Sequence, residues 1–63
     1  MGEFTWRNVI VLVRIDPTSG KVVYRPSNGP CWFDAESAAS SRSNPPIFRN
    51  LLKQEIRRVL TNT

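Results

Sequence analysis

Apolar positions in the first half of the chain come in runs instead of alternating. Within "NVIVLVRIDPTSGKVVYR", Val9, Ile10, Val11, Leu12 and Val13 follow one another without a polar break. A strand shows successive side chains to opposite faces, so such a run puts apolar groups on both. The β-branched composition, free of Gly and Pro, predicts a strand over 5–15. "DPTSGK" predicts the turn that follows. Pro17 presets φ, the Asp16 carboxylate can accept from amides ahead of it, and Gly20 supplies a left-handed residue. A second strand then runs over 21–26.

Farther on, "PSNGPCWF" marks another turn at Asn28-Gly29. Cys31, Trp32 and Phe33 can add a brief third strand, which the flanking prolines confine to an edge. Asp34 reads as the N-cap of a short helix over 34–43, with Glu36 in its first turn. Asn44 reads as the cap of the last element, with Pro45 at the first helical position, where its missing amide does no harm. In "PIFRNLLKQEIRRVL" the residues Phe48, Leu51, Leu52, Ile56, Val59 and Leu60 recur at helical spacing, predicting an amphipathic helix over 45–60. The expected fold is α+β, a single domain over 1–63. A small N-terminal antiparallel β-hairpin, open to a third strand and filling 5–33, is packed by the C-terminal helix, with a short helix before it.

Pairing Asp16 with Lys21 sets Ile15 opposite Val22, Arg14 opposite Val23, Val13 opposite Tyr24 and Leu12 opposite Arg25. One face is then Val9, Val11, Val13, Ile15, Val22 and Tyr24, a seat for the C-terminal helix. The other is Trp6, Asn8, Ile10, Leu12, Arg14, Lys21, Val23 and Arg25, apolar at its centre and basic around it. A one-residue slip would exchange the two. Trp6, Ile10 and Leu12 on this second face need a cover. The Ala/Ser helix or Trp32 could fold across them, a second copy of the chain could pair there as a homodimer, or another macromolecule could dock.

Length and charge narrow those options. At 63 residues, a chain buries only about 60 % of its unfolded surface, so helix packing or association must supply stability. A lone cysteine, Cys31, allows no internal disulfide, and with no histidine no structural zinc site can be assembled. Between aromatic neighbours, Cys31 is expected to be a small buried apolar residue. Nine Lys and Arg stand against five Asp and Glu, a net charge of +4. That excess favours an acidic partner, either nucleic acid or an acidic protein surface. On the last helix Arg49, Lys53 and Arg57 form an i, i+4, i+8 stripe able to follow a phosphate backbone. Glu55 falls inside the apolar arc, within reach of Arg58 at i+3. No apolar run is long enough to span a bilayer, and no signal peptide is visible, so a cytoplasmic protein without a membrane partner is expected.

Catalysis is not expected. The carboxylates Glu3, Asp16, Asp34, Glu36 and Glu55 are scattered, Cys31 has no histidine to activate it, and Gly20-Lys21 belongs to a hairpin turn instead of a phosphate-binding loop. Neither cofactor nor small-molecule substrate is implied.

The order strand, turn, strand, strand and acid-capped helix in "VRIDPTSGKVVYR…GPCWFDAESAA" is similar to the three-stranded DNA-binding domains of ethylene-response factors and phage integrases. That resemblance covers roughly half the chain and departs at Asn44-Pro45-Pro46, which breaks the helix where that family continues it. It implies DNA contact from the sheet through Arg14 and Arg25. The sequence therefore leads to a non-enzymatic basic binding module that contacts nucleic acid through Arg14, Lys21 and Arg25 on the sheet and Arg49, Lys53 and Arg57 on the helix. The alternative is a protein-binding accessory, inhibitor or assembly subunit anchored by Trp6, Ile10 and Leu12.

Overall fold

Asp16 organises the turn expected of it. The structure, a computed structural model, describes residues 1–62. The Asp16 amide donates to the Lys21 carbonyl (2.7 Å) and the Gly20 amide donates to the Asp16 carbonyl (2.8 Å). The Asp16 carboxylate accepts from the Thr18 amide (3.2 Å) and the Ser19 hydroxyl (2.9 Å). Gly20 sits at φ +76°, a region open to glycine without steric cost. The strands on either side, Val9–Ile15 and Val22–Pro26, pair in the register that the spacing predicts, from Ile15 opposite Val22 to Leu12 opposite Arg25.

The segment 5–15, however, is not one strand. A separate strand β1 (Gly2–Trp6) folds back on β2 (Val9–Ile15), with Trp6 opposite Val9 and Gly2 opposite Val13. Between them Arg7 and Asn8 both have positive φ, 50° and 70°. Positive φ at both central residues is the type I′ pattern, whose twist matches that of the strands it joins. Following β3 (Val22–Pro26), the brief strand expected at 31–33 starts two residues later, as β4 (Phe33–Asp34), with Phe33 opposite Tyr24. The result is a four-stranded antiparallel sheet in the order β1-β2-β3-β4.

Asp34 caps α1 (Ala35–Ser40), accepting from the Ser37 amide at 3.1 Å. This helix is shorter than the expected 34–43 because Ser41 is extended (φ −78°, ψ 124°). The Asn44 side chain donates to the Ala38 carbonyl (2.9 Å), so Asn44 closes α1 instead of opening the next helix. Pro45 takes the N-cap of α2 (Pro46–Thr61) without a side-chain bond, and Pro46 begins the helix. An orphan amide would have been wasted there in any case.

α2 lays Phe48, Leu52 and Val59 against Val13 and Val22, and Ala35 and Ala39 of α1 close the same core. Each large side chain buried in this way contributes about 1.5–3 kcal/mol. Phe48 is the hub of an aromatic group, meeting Phe4, Trp6 and Tyr24 edge-on at 5.8, 5.5 and 5.9 Å. Glu55 is buried in the same helix face, 5 % exposed, with Arg58 at 3.6 Å. A Cβ at Gly2 would run into the Glu55 Oε1, so glycine lets β1 approach α2 there. Among the described residues no helix is long and apolar enough to cross a membrane.

Candidate nucleic-acid interface

Because Val11, Val13 and Val22 are buried under α2, alternation turns Ile10, Leu12 and Arg14 of β2 and Val23 and Arg25 of β3 to the outer face. Trp32, just before β4, joins them. The Arg14 guanidinium lies 4.3 Å from the Trp32 ring centroid and the Arg25 guanidinium 5.1 Å from it. Both distances are within cation–π range. The partial cover of the second face is thus Trp32, while α1 goes to the other side and buries Ala35 and Ala39 in the core.

The two arginines are held differently. Arg25 Nη1 donates to the carbonyls of Pro26 (3.3 Å), Ser27 (3.4 Å) and Gly29 (2.7 Å), tying down the loop between β3 and β4. Arg14 has no such anchor, and its Nε is buried without a hydrogen-bond partner. Its guanidinium packs on the Trp32 ring, and its charge also acts on Asp16. Beside this stack Ile10 is 44 % exposed, and Leu12 and Val23 are half-buried. Glu3, opposite Leu12, and Asp34, opposite Val23, lie at the flanks. Among the described residues the single ion pair is Arg58 with Glu55, so neither outer-face arginine has a carboxylate within bonding distance.

Three expectations about this surface need correction. Trp6 does not share the face of Ile10 and Leu12. The turn at Arg7-Asn8 reverses the chain and places Trp6 on the helix side, against Phe48. Cys31 is exposed and free, not buried, because Trp32 turns to the outer face and leaves it outside the core. The helix stripe is also not uniform. Arg49 is half-buried and its Nε donates to the Asn44 carbonyl at 3.1 Å, serving the α1–α2 connection. Lys53 and Arg57 remain exposed and line a groove between α1 and α2 that Glu36 also borders. Lys21 is exposed at the hairpin turn. Arg14, Lys21 and Arg25 therefore belong to the sheet side, and Arg49, Lys53 and Arg57 to the helix side.

Titration adds two local facts. Asp16 is held below the usual carboxylate range, first by the Thr18 amide and then by the Ser19 hydroxyl. Burial pushes the Tyr24 hydroxyl up. Comparisons with protein-family models, curated proteins and solved structures return no match. The resemblance to three-stranded DNA-binding domains stands on its quoted residues alone. What sequence reasoning missed is the pairing of Trp32 with both arginines. Its signal was present in the alternation from Phe33, which faces Tyr24, back to Trp32 on the other side.

Proposed function

We propose that this chain is a small binding module that contacts nucleic acid through the outer face of its sheet. The observation that carries this reading is the Arg14–Trp32–Arg25 stack. Guanidinium planes and indole rings both accept a base by stacking, and the same guanidinium groups can donate to phosphate. Arg14 supports the reading best: among the described residues no carboxylate or carbonyl lies within bonding distance of it, so, with Nε buried, its Nη groups are the donors left for an incoming anion. Lys21 extends the cationic strip along the hairpin. The test is fluorescence anisotropy of labelled nucleic acid at several salt concentrations. Micromolar or tighter binding that weakens steeply with salt is expected, with the slope set by the phosphates contacted. Arg14→Gln should weaken binding and lower that slope by about one contact. No binding at low salt would overturn the reading.

Ile10 favours a second reading, an acidic protein surface docking on the same face. An exposed isoleucine on the same face as Arg14 and Arg25 matches the anatomy of a protein interface, with an apolar centre and a charged rim. Ile10→Lys separates the two. It should preserve or strengthen contact with nucleic acid, and it should abolish a protein contact that buries this side chain.

A further inference from the structure

At the end of the sheet where β1 turns into β2 and β3 leaves for β4, a groove of about 430 Å³ opens on the helix side. Its lining includes Trp6, Tyr24 and Phe48, together with Arg7, Asn28 and Pro45. Sites that enclose a small planar ligand begin at about 300 Å³. The walls are set before any ligand arrives, because Trp6 and Tyr24 are both held edge-on by the buried Phe48. Three of the lining residues carry polar groups without intramolecular hydrogen bonds among the described residues: the Trp6 indole N–H, the Tyr24 hydroxyl and the Asn28 amide. The charged residue of the lining is Arg7, whose guanidinium lies 5.0 Å from the Trp6 ring centroid. The occupant called for has an aromatic plane, donors and acceptors along its edge, and an anionic flank.

We infer that this groove receives one unstacked base of a single-stranded nucleic acid, with the adjoining phosphate at Arg7. The inference rests on the nucleic-acid reading of the outer sheet face and deepens it. The loop between β3 and β4 joins the two surfaces: Pro26 and Asn28 line the groove, while Arg25 holds the Pro26, Ser27 and Gly29 carbonyls from the other side. A strand crossing the stack at Trp32 can pass over this loop and place a base in the groove. Asn28 has a free donor and a free acceptor, the pair that a base edge requires. A paired base is stacked on both sides with its edge engaged, so a duplex can use the outer face but not the groove.

The experiment compares one labelled single strand of mixed sequence with its own duplex, at fixed salt, on three proteins. These are wild type, the double variant Arg7→Asn/Asn28→Ala, and Arg14→Gln, each checked for an intact fold by its circular dichroism and a cooperative melting transition above the assay temperature. Arg7→Asn keeps a residue suited to the left-handed turn, so loss of folding is not expected. Wild type should prefer the single strand by about tenfold, the size of one base–aromatic stacking interaction. The double variant, which removes the phosphate and base-edge contacts but keeps the aromatic walls, should reduce that preference severalfold, and Arg14→Gln should weaken both forms alike. Because Arg7 also carries charge, the ratio of the two affinities is the readout. Equal affinity of wild type for both forms, or a ratio unchanged in the double variant, overturns the groove assignment and leaves the outer-face reading standing. Failure of wild type to bind either form overturns both.

Discussion

Arg7 occupies a backbone position that suits few side chains. At φ 50° it must hold its Cβ in the left-handed region, and Asn8 follows at 70°. That region costs an ordinary L-residue about 1–2 kcal/mol and asparagine less. Arg7→Asn is therefore expected to raise stability by up to about 1 kcal/mol, read as a higher urea midpoint at constant slope. A lower midpoint would mean that the Arg7 contact with Trp6 outweighs the backbone strain. Asp16 makes a different residue-scale case. Its carboxyl titrates lower in the fold than in the unfolded chain, where the ordinary value is 3.8. The contribution of the charged form is therefore present above the unfolded value and is lost as pH falls through the depressed folded one. Asp16→Asn should lower the melting temperature at pH 7, and the gap should close as the pH is taken below 3.8. A gap that stays constant down to acid pH would mean that the turn does not depend on the charge.

At the scale of elements, two turns of similar importance differed in how openly the chain announced them. "DPTSGK" carries proline, a side-chain acceptor and glycine at the positions a turn needs, so the β2–β3 register followed from the residues. Arg7-Asn8 has neither glycine nor proline, and the apolar residues on either side read as continuous strand. Missing that turn merged β1 with β2 and put Trp6 on the wrong face, since the two-residue turn pairs Trp6 with Val9 and so sets it on the Val9 side of the sheet. α2 was legible from the spacing of its apolar residues. Its first residue was not, because Asn44 has two helix ends within reach and its side chain chose α1. Glu55 is where α2 and β1 meet least comfortably. Its Oε1 is buried without a hydrogen bond, and its ionic partner Arg58 is 63 % exposed. Replacing a poorly compensated buried carboxylate with an apolar side chain of similar length removes a desolvation cost. Glu55→Met should stabilise the domain by roughly 1–3 kcal/mol in denaturant unfolding. Destabilisation would show that the Arg58 contact more than offsets the cost of burial.

For the whole molecule, the division of charge between two layers decides how a partner can be engaged. α2 turns Phe48, Leu52 and Val59 to the sheet, which leaves Lys53 and Arg57 exposed on the helix layer. Arg14 and Arg25 lie beyond the sheet on the opposite side, in a molecule whose shortest extent is 18 Å. At physiological salt the Debye length is about 8 Å, so charges that far apart act almost independently on a bound phosphate. A flat duplex can therefore meet one set or the other, but not both at full strength. The net charge of +4 describes attraction from a distance, and the contact itself depends on which side faces the partner. In the reading proposed above, the contact is made on the sheet side, at the Trp32 stack. Neutralising the helix pair by Lys53→Gln/Arg57→Gln should slow association modestly and leave the salt slope of duplex binding within about 0.3 of wild type, whereas Arg14→Gln should reduce it by about 0.9. If instead the helix variant lowers the slope by about 1.8 and Arg14→Gln leaves it unchanged, the phosphates lie along α2. The outer sheet face would then be free for a protein.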